Sequence, residues 1–317
     1  MSRNQVQTVA IVGAGTMGPG MSGVFARHGF DVRLTDVKPD VLERATGTLD
    51  IVYKTLIGGG FMTEAEAEAG RARVKLTLDL AEAVDGADFV LEAIPERLEI
   101  KETFFREAEG MVRNDTILAS NTSGIPITKI GEAVQRPERL VGMHWSNPPH
   151  LIPVIEVIKG AQTSDETVAA TRRVVERIDM IPVLVKRDVQ GFVENRILYA
   201  IMREALHLLE EGIASAEDID TITKWGIGYK LAVIGPLELL DVAGLDIYNS
   251  VASYLNADLS AADTVSSVIA EKVEAGQLGL KTGRGLFEYQ TDEIPALAQR
   301  RARLLLNVKK ALSQTTS

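Results

Sequence analysis

The first half of the chain alternates short β-branched hydrophobic runs with stretches in which apolar residues recur at a helical period. The runs predict six strands and the stretches between them predict four helices. The predicted strands are Thr8–Val12, Asp31–Thr35, Asp88–Glu92, Thr116–Ser120, Leu140–His144 and Ile181–Val185. The predicted helices are Met17–His28, Pro39–Leu56, Ile100–Met111 and Thr167–Ile178. Strands that alternate with helices form βαβ units, so we expect a mostly parallel sheet.

The pattern changes near Gly191, after which helical periodicity dominates and few strand signals remain. The helical segments are Phe192–Glu211, Ser215–Lys224, Gly235–Leu245 and Thr264–Ala275. We therefore expect an α/β chain in two parts, an N-terminal Rossmann domain over residues 1–188 and an all-helical domain over residues 189–317. Helices with more than one apolar face predict burial against a second copy of the chain, so we expect a homodimer joined through the helical domain.

Composition narrows the class of protein. The 317 residues include no cysteine, which excludes disulfides and thiolate nucleophiles and fits a reducing cytoplasm. A net charge of -10 argues against a nucleic-acid partner. We expect neither a signal peptide nor a membrane span, since no apolar run is long enough. None of the four histidines has metal-ligand spacing, so we expect no metal site. A cytoplasmic enzyme or binding protein for a small molecule fits best.

A glycine-rich loop joins the first predicted strand to the first predicted helix, with the sequence Gly13-Ala14-Gly15-Thr16-Met17-Gly18. Such a loop lets a diphosphate approach the backbone and the free N–H groups of the following helix. Asp36 follows the second predicted strand, where a carboxylate can bind the ribose hydroxyls of NAD and would repel the extra phosphate of NADP. A packing turn with an exposed aspartate is the simpler alternative. The context favours an NAD site.

Two polar segments follow later strands, namely Ser120-Asn121-Thr122-Ser123-Gly124 and Gly142-Met143-His144-Trp145-Ser146-Asn147-Pro148-Pro149. In an open α/β sheet, ligands bind outside the carboxyl ends of the strands. Histidine titrates near neutrality and can remove a hydroxyl proton as hydride leaves the carbon. Glu156 lies among apolar residues, where an unpaired carboxylate is costly, and it could orient the His144 imidazole. The simpler interpretation makes His144 a core histidine and leaves Glu156 in solvent.

These segments, in this order, resemble the 3-hydroxyacyl-CoA dehydrogenase family. The resemblance continues through Gly191-Phe192-Val193-Glu194-Asn195-Arg196, Gly235-Pro236-Leu237-Glu238-Leu239-Leu240-Asp241 and Lys281-Thr282-Gly283-Arg284-Gly285, so it spans nearly the whole chain. It implies a Rossmann domain joined to a helical dimerisation domain and a dehydrogenase that transfers hydride to NAD.

The resemblance also implies a role for individual residues. It makes His144 the general base, Glu156 its orienting partner and Ser123 a hydrogen-bond partner of the reacting oxygen. Asn195 completes this catalytic set. The implied cofactor-binding residues are Gly13, Gly15, Thr16, Met17, Gly18, Asp36, Glu92, Asn147 and Lys281. The candidate substrate-binding residues are Ser123, Asn195, Arg196, Lys230 and Trp145, whose ring could stack on a planar substrate.

The chain departs from the family where CoA binds. The positions that carry a serine and a lysine in the acyl-CoA enzymes are here Val52 and Gly59, and the local sequence Leu56-Ile57-Gly58-Gly59-Gly60 contains no cation. A polyanionic CoA tail binds best to fixed cations, so their loss disfavours a CoA thioester. The Asn147-Pro148-Pro149 run resembles a branch that acts on small free acids. We therefore expect a 3-hydroxy-acid-type alcohol or a hydrated aldehyde that carries a carboxylate, of the formyl-pyridine-carboxylate, gulonate or carnitine type.

Two alternatives stay open. One is an L-3-hydroxyacyl-CoA (3-hydroxybutyryl-CoA) dehydrogenase whose CoA groove is rearranged, lined by cations such as Lys54, Arg71, Arg73 and Lys75. The other is a crystallin-like protein that binds NAD without turnover. The complete set of candidate catalytic residues argues against this second alternative.

Overall fold

Apolar side chains alternate between the two faces of a sheet, and helices cover both faces. In the computed structural model, which describes residues 6–313, Val9 and Ile11 join one buried cluster while Ala10 and Val12 join another. The strands are β1 Thr8–Val12, β2 Asp31–Thr35, β3 Val74–Thr77, β4 Phe89–Glu92, β5 Ile117–Ser120, β6 Leu140–Trp145, β7 Val154–Ile158 and β8 Ile181–Val185. Both faces of the sheet are therefore buried, as a parallel sheet requires.

The strand order is β3-β2-β1-β4-β5-β6-β7-β8, in a single eight-stranded sheet. All neighbouring strands are parallel except β6 and β7, which are antiparallel. The first six positions follow the strand order of a dinucleotide-binding Rossmann sheet, with a crevice where the order reverses beside β1. The prediction of a mostly parallel Rossmann sheet is confirmed.

The first helices lie on the two faces of this sheet. They are α1 Gly18–Arg27, α2 Pro39–Gly58, α3 Glu64–Ala72, α4 Leu80–Val84, α5 Leu98–Met111, α6 Ile127–Gly131 and α7 Asp165–Arg177. Residues of α1, α2 and α7 fill the cluster on one face, and residues of α4, α5 and α6 fill the cluster on the other. A single 3-10 turn, Pro137–Arg139, leads into β6.

The remaining elements are helical. They are α8 Glu194–Glu210, α9 Ala216–Ile222, α10 Tyr229–Leu231, α11 Pro236–Ala243, α12 Leu245–Asp258, α13 Ser267–Glu274 and α14 Ile294–Ser313, with a π-helical turn at Thr223–Gly228. The predicted helix Gly235–Leu245 ends at Ala243, because Gly244 adopts a φ of 98° and a new helix begins after it. The prediction of a helical C-terminal part is confirmed. Within residues 6–313, no helix is both long and apolar enough to cross a membrane.

Contacts divide the chain into two compact units. The first unit contains the described residues up to Asn195 together with Ala302–Lys309, and the second contains Arg196–Arg301 together with the described residues after Lys309. The predicted boundary after residue 188 falls a few residues before this division. The return of part of α14 to the first unit had no counterpart in the sequence analysis.

The α14 segment packs on the α2–α3 corner of the first unit. Leu306 is 2% exposed and shares a buried cluster with Val52, Leu56 and Leu151. A Cβ at Gly59 would lie 2.4 Å from Leu306 Cδ1, so a side chain at this position would require Leu306 to shift. Leu151 belongs to the loop that follows β6, so the same cluster also supports that loop.

Candidate active site

His144 and Glu156 face each other across the antiparallel pair β6–β7. The register pairs the two residues directly, and directly opposed side chains lie on the same face of a sheet. His144 Nδ1 lies 2.8 Å from Glu156 Oε2, and the two residues are 5% and 3% exposed. Glu156 therefore does not face solvent, and the simpler interpretation from the sequence is wrong for this residue.

The second carboxylate oxygen of Glu156 is fixed by the backbone. Oε1 accepts hydrogen bonds from Val193 N at 2.9 Å and Glu194 N at 3.1 Å. The preceding Phe192 has a φ of 47°, and its buried ring lies 5.9 Å from the His144 ring. Burial favours the neutral acid, yet the His144 and backbone hydrogen bonds outweigh it and hold the pKa of Glu156 below its usual value.

An ionised Glu156 can only accept, so the Nδ1–H group of the His144 ring donates the hydrogen bond between them. The other ring nitrogen, Nε2, then carries the free lone pair of the neutral imidazole. This arrangement has the two features that a general base requires, a fixed tautomer and a counter-charge for the imidazolium that forms when it takes a proton.

The Ser123 loop after β5 is held from two sides. Glu96 Oε1 accepts from Thr122 Oγ1 at 2.6 Å, from Ser123 N at 2.9 Å and from Gly124 N at 3.2 Å. Asn195 Nδ2 donates to Ser123 O at 3.0 Å. Ser123 itself is exposed, so its backbone is fixed while its side chain remains accessible. The structure thus brings two predicted catalytic residues, Ser123 and Asn195, into direct contact.

The Glu92 side chain is not accessible to a bound cofactor. It is fully buried, and its carboxylate accepts from Lys101 Nζ at 2.6 Å, Ser120 Oγ at 2.6 Å and Ile94 N at 2.8 Å. Burial raises the pKa of Glu92, against the opposing effect of the Lys101 charge. This position corrects the expected direct role of Glu92 in cofactor binding.

Glu96 lies at the accessible end of this network, next to the buried Lys101, and neither residue was singled out from the sequence. Lys101 Nζ also lies 3.2 Å from Glu96 Oε2, and Glu96 is partly exposed. The signal was present in α5, where Lys101 shares its buried stripe with Phe104, Phe105 and Ala108. A lysine on the apolar stripe of a helix requires a buried acidic partner.

The glycine loop fits a dinucleotide phosphate. A Cβ on Gly13 would lie 2.4 Å from Ala93 O, and one on Gly18 would lie 2.0 Å from Gly13 O, so tight packing requires both glycines. A Cβ on Gly15 would meet nothing within 4 Å, which leaves open space beside the start of α1. No side chain caps α1, and no acidic residue lies in its first turn. Its free N–H groups and dipole therefore suit an anion.

Asp36 is anchored to the glycine loop. Its Oδ2 accepts from Ala14 N at 2.9 Å and its Oδ1 accepts from Lys38 N at 3.0 Å. The carboxylate is half-buried at the end of β2, next to β1 in the sheet. Each oxygen keeps a further lone pair, which is what binding of two ribose hydroxyls requires.

Trp145 lies in the core. It is 2% exposed, and its ring centroid lies 5.7 Å from that of Phe25. Neighbouring residues on a strand point to opposite faces of the sheet. Since the His144 side chain lies on the face of Glu156, the Trp145 side chain points to the other face. The expected stacking of Trp145 on a substrate is therefore wrong.

The other predicted residues are accessible but lie in different parts of the chain. Asn147 is exposed directly after β6, at a cis Asn147–Pro148 bond. Arg196, Lys230 and Lys281 belong to the second unit, and all three are exposed. Their assignments to substrate and cofactor stay predictions.

Apolar side chains cover Val52 and Gly59, the two positions at which the family's CoA-binding residues are replaced. Val52 is 2% exposed, and Leu306 lies over Gly59. Of the four cations considered for an alternative groove, Arg71 pairs with Asp50 and Arg73 pairs with Asp31, each at 2.8 Å. Two of the four cations are therefore engaged in ion pairs, and the other two, Lys54 and Lys75, are exposed.

The described fold agrees with comparisons to known proteins. Residues 8–189 match the family model of the 3-hydroxyacyl-CoA dehydrogenase NAD binding domain, and residues 191–289 match that of the 3-hydroxyacyl-CoA dehydrogenase C-terminal domain. The chain therefore belongs to the 3-hydroxyacyl-CoA dehydrogenase family, and it is an NAD-dependent dehydrogenase. The resemblance found in the sequence is confirmed.

Individual relatives place the chain within this family. It is 50% identical to 5-formyl-3-hydroxy-2-methylpyridine 4-carboxylate 5-dehydrogenase of Mesorhizobium japonicum, over 97% of this chain and 98% of that protein. A solved structure of an enzyme of the same name, described as an NAD+-dependent dismutase, matches with a TM-score of 0.92 and 50% identity over 98% of this chain and 99% of that one. A probable 3-hydroxybutyryl-CoA dehydrogenase of Deinococcus radiodurans is 39% identical over 88% of this chain and 99% of that protein.

Proposed function

We propose that this chain oxidises a small aldehyde that carries a carboxylate, as its hydrate, and uses NAD as the hydride acceptor. The observation that carries the reaction is the buried His144–Glu156 pair, whose carboxylate is fixed by two backbone amides. The likeness to the formyl-pyridine-carboxylate enzyme over almost the full length of both chains supports the substrate class. A small 3-hydroxy acid of the gulonate or carnitine type would use the same base.

In this proposal His144 Nε2 removes the proton of the substrate hydroxyl, and Glu156 balances the imidazolium charge that results. Bound NAD supplies the acceptor for the hydride. Ser123 donates a hydrogen bond to the reacting oxygen, and Asn195 holds the Ser123 loop in place. The glycine loop, Asp36, Asn147 and Lys281 would hold the cofactor, and Arg196 and Lys230 would hold the substrate carboxylate.

The closed α2–α3 corner supports a free acid rather than a CoA thioester. Val52 and Gly59 offer no cation, and Leu306 covers Gly59. Helix α14 begins after residue 289, where the second family model ends. The enzyme of Mesorhizobium japonicum matches 97% of this chain, so its match reaches into this segment.

The proposal extends to dismutation. If one aldehyde molecule is oxidised as its hydrate and a second is reduced, the balance is two aldehydes plus water giving one carboxylic acid and one primary alcohol. The same histidine serves both directions, since it accepts a proton in oxidation and returns one in reduction. The experiment incubates a pyridine aldehyde carboxylate with a trace of NAD and quantifies both products by chromatography. Equal amounts of acid and alcohol support the proposal, and no acid contradicts it.

We also propose a cytoplasmic homodimer that forms through the helical domain. Of the hydrophobic residues between 196 and 301, all of which the structure describes, Ile219 alone is buried. The large apolar side chains exposed there include Leu198, Tyr199, Met202, Val233, Leu237, Val242, Leu245, Ile247 and Tyr254. A helical unit with so little core of its own is typical of one that folds against a second copy.

A further inference from the structure

Glu194 brings a second carboxylate to the His144–Glu156 pair, and the roles given above do not use its side chain. Ser146 Oγ donates a short hydrogen bond to Glu194 Oε2. One ring nitrogen of His144, one carboxylate oxygen of Glu156 and one of Glu194 all lie within 4.8 Å of one another. Within residues 6–313, no protein group donates a hydrogen bond to Glu194 Oε1, and Glu194 is partly exposed. The site therefore contains an acceptor with unused capacity.

The Glu194 carboxylate lies beside the Glu156 carboxylate in a partly buried site. Two carboxylates so close together repel each other in a partly buried site. Both oxygens of Glu156 already have partners, so its charge cannot turn away from Glu194. Ser146 is buried two positions after His144, and its single hydroxyl supplies one bond to hold Glu194 at the site. A substrate hydroxyl that donates to the other oxygen of Glu194 would complete the hydrogen bonding of this carboxylate.

We propose that Glu194 accepts the second hydroxyl of an aldehyde hydrate and thereby favours aldehyde oxidation over alcohol oxidation. This inference rests on the proposed function. A hydrate has two hydroxyls on its reacting carbon. One gives its proton to His144 as the C–H electron pair leaves as hydride to NAD and the C=O bond forms. The other stays on the carbon and becomes the acid hydroxyl, with its proton toward Glu194. An alcohol has no second hydroxyl, so its oxidation lacks this hydrogen bond to Glu194.

The same charge repels the product. Once the acid ionises, Glu194 and the new carboxylate are like charges at short distance, which favours release. The carboxylate that the substrate already carries must then bind away from Glu194.

The test is Glu194→Gln, which keeps the shape and removes the charge. We expect kcat/KM for aldehyde oxidation to fall about tenfold, because a charge-assisted hydrogen bond becomes a neutral one. Oxidation of the corresponding primary alcohol should change less than about threefold. Ser146→Ala should shift the same ratio in the same direction and by less. Glu107→Gln, at an exposed position of α5, is the matched control and should change neither reaction.

A binding measurement gives an independent readout. Calorimetry should show that Glu194→Gln binds the carboxylic acid product more tightly than the unaltered enzyme does. Equal losses in aldehyde and alcohol oxidation would show that Glu194 acts only through the His144–Glu156 pair and would overturn the inference, as would unchanged aldehyde oxidation. If the unaltered enzyme oxidises no aldehyde, the proposed function fails as well. If it does and Glu194→Gln does not discriminate, this inference alone fails.

Discussion

At the residue scale, the site depends on ionisable groups that could not be buried singly. A buried carboxylate without partners is costly, and Glu156 is stable there because His144 and two backbone amides occupy its oxygens. The same reasoning applies to the buried ion pair of Glu92 and Lys101. Lys101 also contacts Glu96, and Glu96 accepts a hydrogen bond from the backbone of Ser123. The contacts that make these buried carboxylates stable are therefore the same contacts that position the residues of the candidate active site.

Replacing the base should remove turnover and leave the cofactor site intact. We expect His144→Ala to lower kcat by about 10²–10⁴-fold, the usual cost of losing a general base. Glu156→Gln should be impaired less, since the imidazole stays but loses its counter-charge. Stopped-flow or steady-state NADH formation measures the rate, and NADH fluorescence titration measures binding. Near-normal turnover in His144→Ala would show that another group is the base.

Asp36 should decide between the two nicotinamide cofactors. We expect the unaltered enzyme to prefer NAD, because the carboxylate fixed by Ala14 N and Lys38 N would face the 2′-phosphate of NADP. Asp36→Ser should reduce the ratio of kcat/KM for NAD to that for NADP by about tenfold or more, as expected when a like-charge contact is removed. Steady-state kinetics with both cofactors gives the ratio. An unaltered enzyme that uses NADP equally well would contradict the assignment.

The sequence indicated site residues where a polar side chain stands among apolar ones. His144 and Glu156 could be paired because an acid among apolar residues needs a partner. Glu92 and Trp145 were assigned wrongly, because which side of a strand faces the crevice is decided by neighbouring strands and not by the motif. Glu194 was part of a quoted motif, but its bond to Ser146 joins residues 48 positions apart and leaves no periodic signal.

At the scale of elements, α14 supports the corner of the first unit that carries the loop after β6. Leu306 contacts Gly59 and shares its cluster with Val52 and Leu151. Leu306 is the fully buried side chain that this helix adds to the cluster, and Ala302 and Leu305 pack against the cluster while partly buried. The Leu306 position therefore provides a sharp test of the packing.

Leu306→Ala should lower the free energy of unfolding by about 2–5 kcal/mol, the usual cost of a cavity at a buried leucine. Leu304→Ala removes the same atoms from a side chain of α14 that is 47% exposed, so it should change stability by about 0.5 kcal/mol or less. Urea unfolding followed by circular dichroism measures both. Similar losses in the two variants would contradict the packing of Leu306.

Element boundaries followed from the sequence where periodicity was strong. The bounds of β1, β2 and β8 agree with those predicted. The strand β3 was missed because it has four residues at the sheet edge, and β7 was missed because Glu156 interrupts its apolar run. Helix α14 carries many charged residues, and only the fold shows which leucine it buries.

At the scale of the whole molecule, the helical unit contrasts with the Rossmann unit. The sheet buries apolar clusters on both faces, whereas the residues from 196 to 301 bury one hydrophobic side chain. Helices with more than one apolar face had indicated that this part of the chain buries little of its apolar surface alone. The exposed hydrophobic side chains show which residues form those faces.

We expect the protein to be a dimer at micromolar concentration, measured by light scattering coupled to size exclusion. Leu237→Glu places a charge in the exposed apolar set and should shift the equilibrium toward monomer. Glu107→Gln on α5 should leave the dimer unchanged. A monomeric unaltered protein would contradict the proposed homodimer.

The central claim is that this family member acts on a small free acid and not on a CoA thioester. The most direct measurement compares kcat/KM for 5-formyl-3-hydroxy-2-methylpyridine-4-carboxylate with kcat/KM for 3-hydroxybutyryl-CoA, using NAD and with His144→Ala as the background. We predict about 10⁴ M⁻¹s⁻¹ or more for the aldehyde acid, within the range of enzymes on their own substrates, and at least about a hundredfold less for the thioester. A thioester value of about 10⁵ M⁻¹s⁻¹ or more, with a weaker aldehyde, would contradict the account.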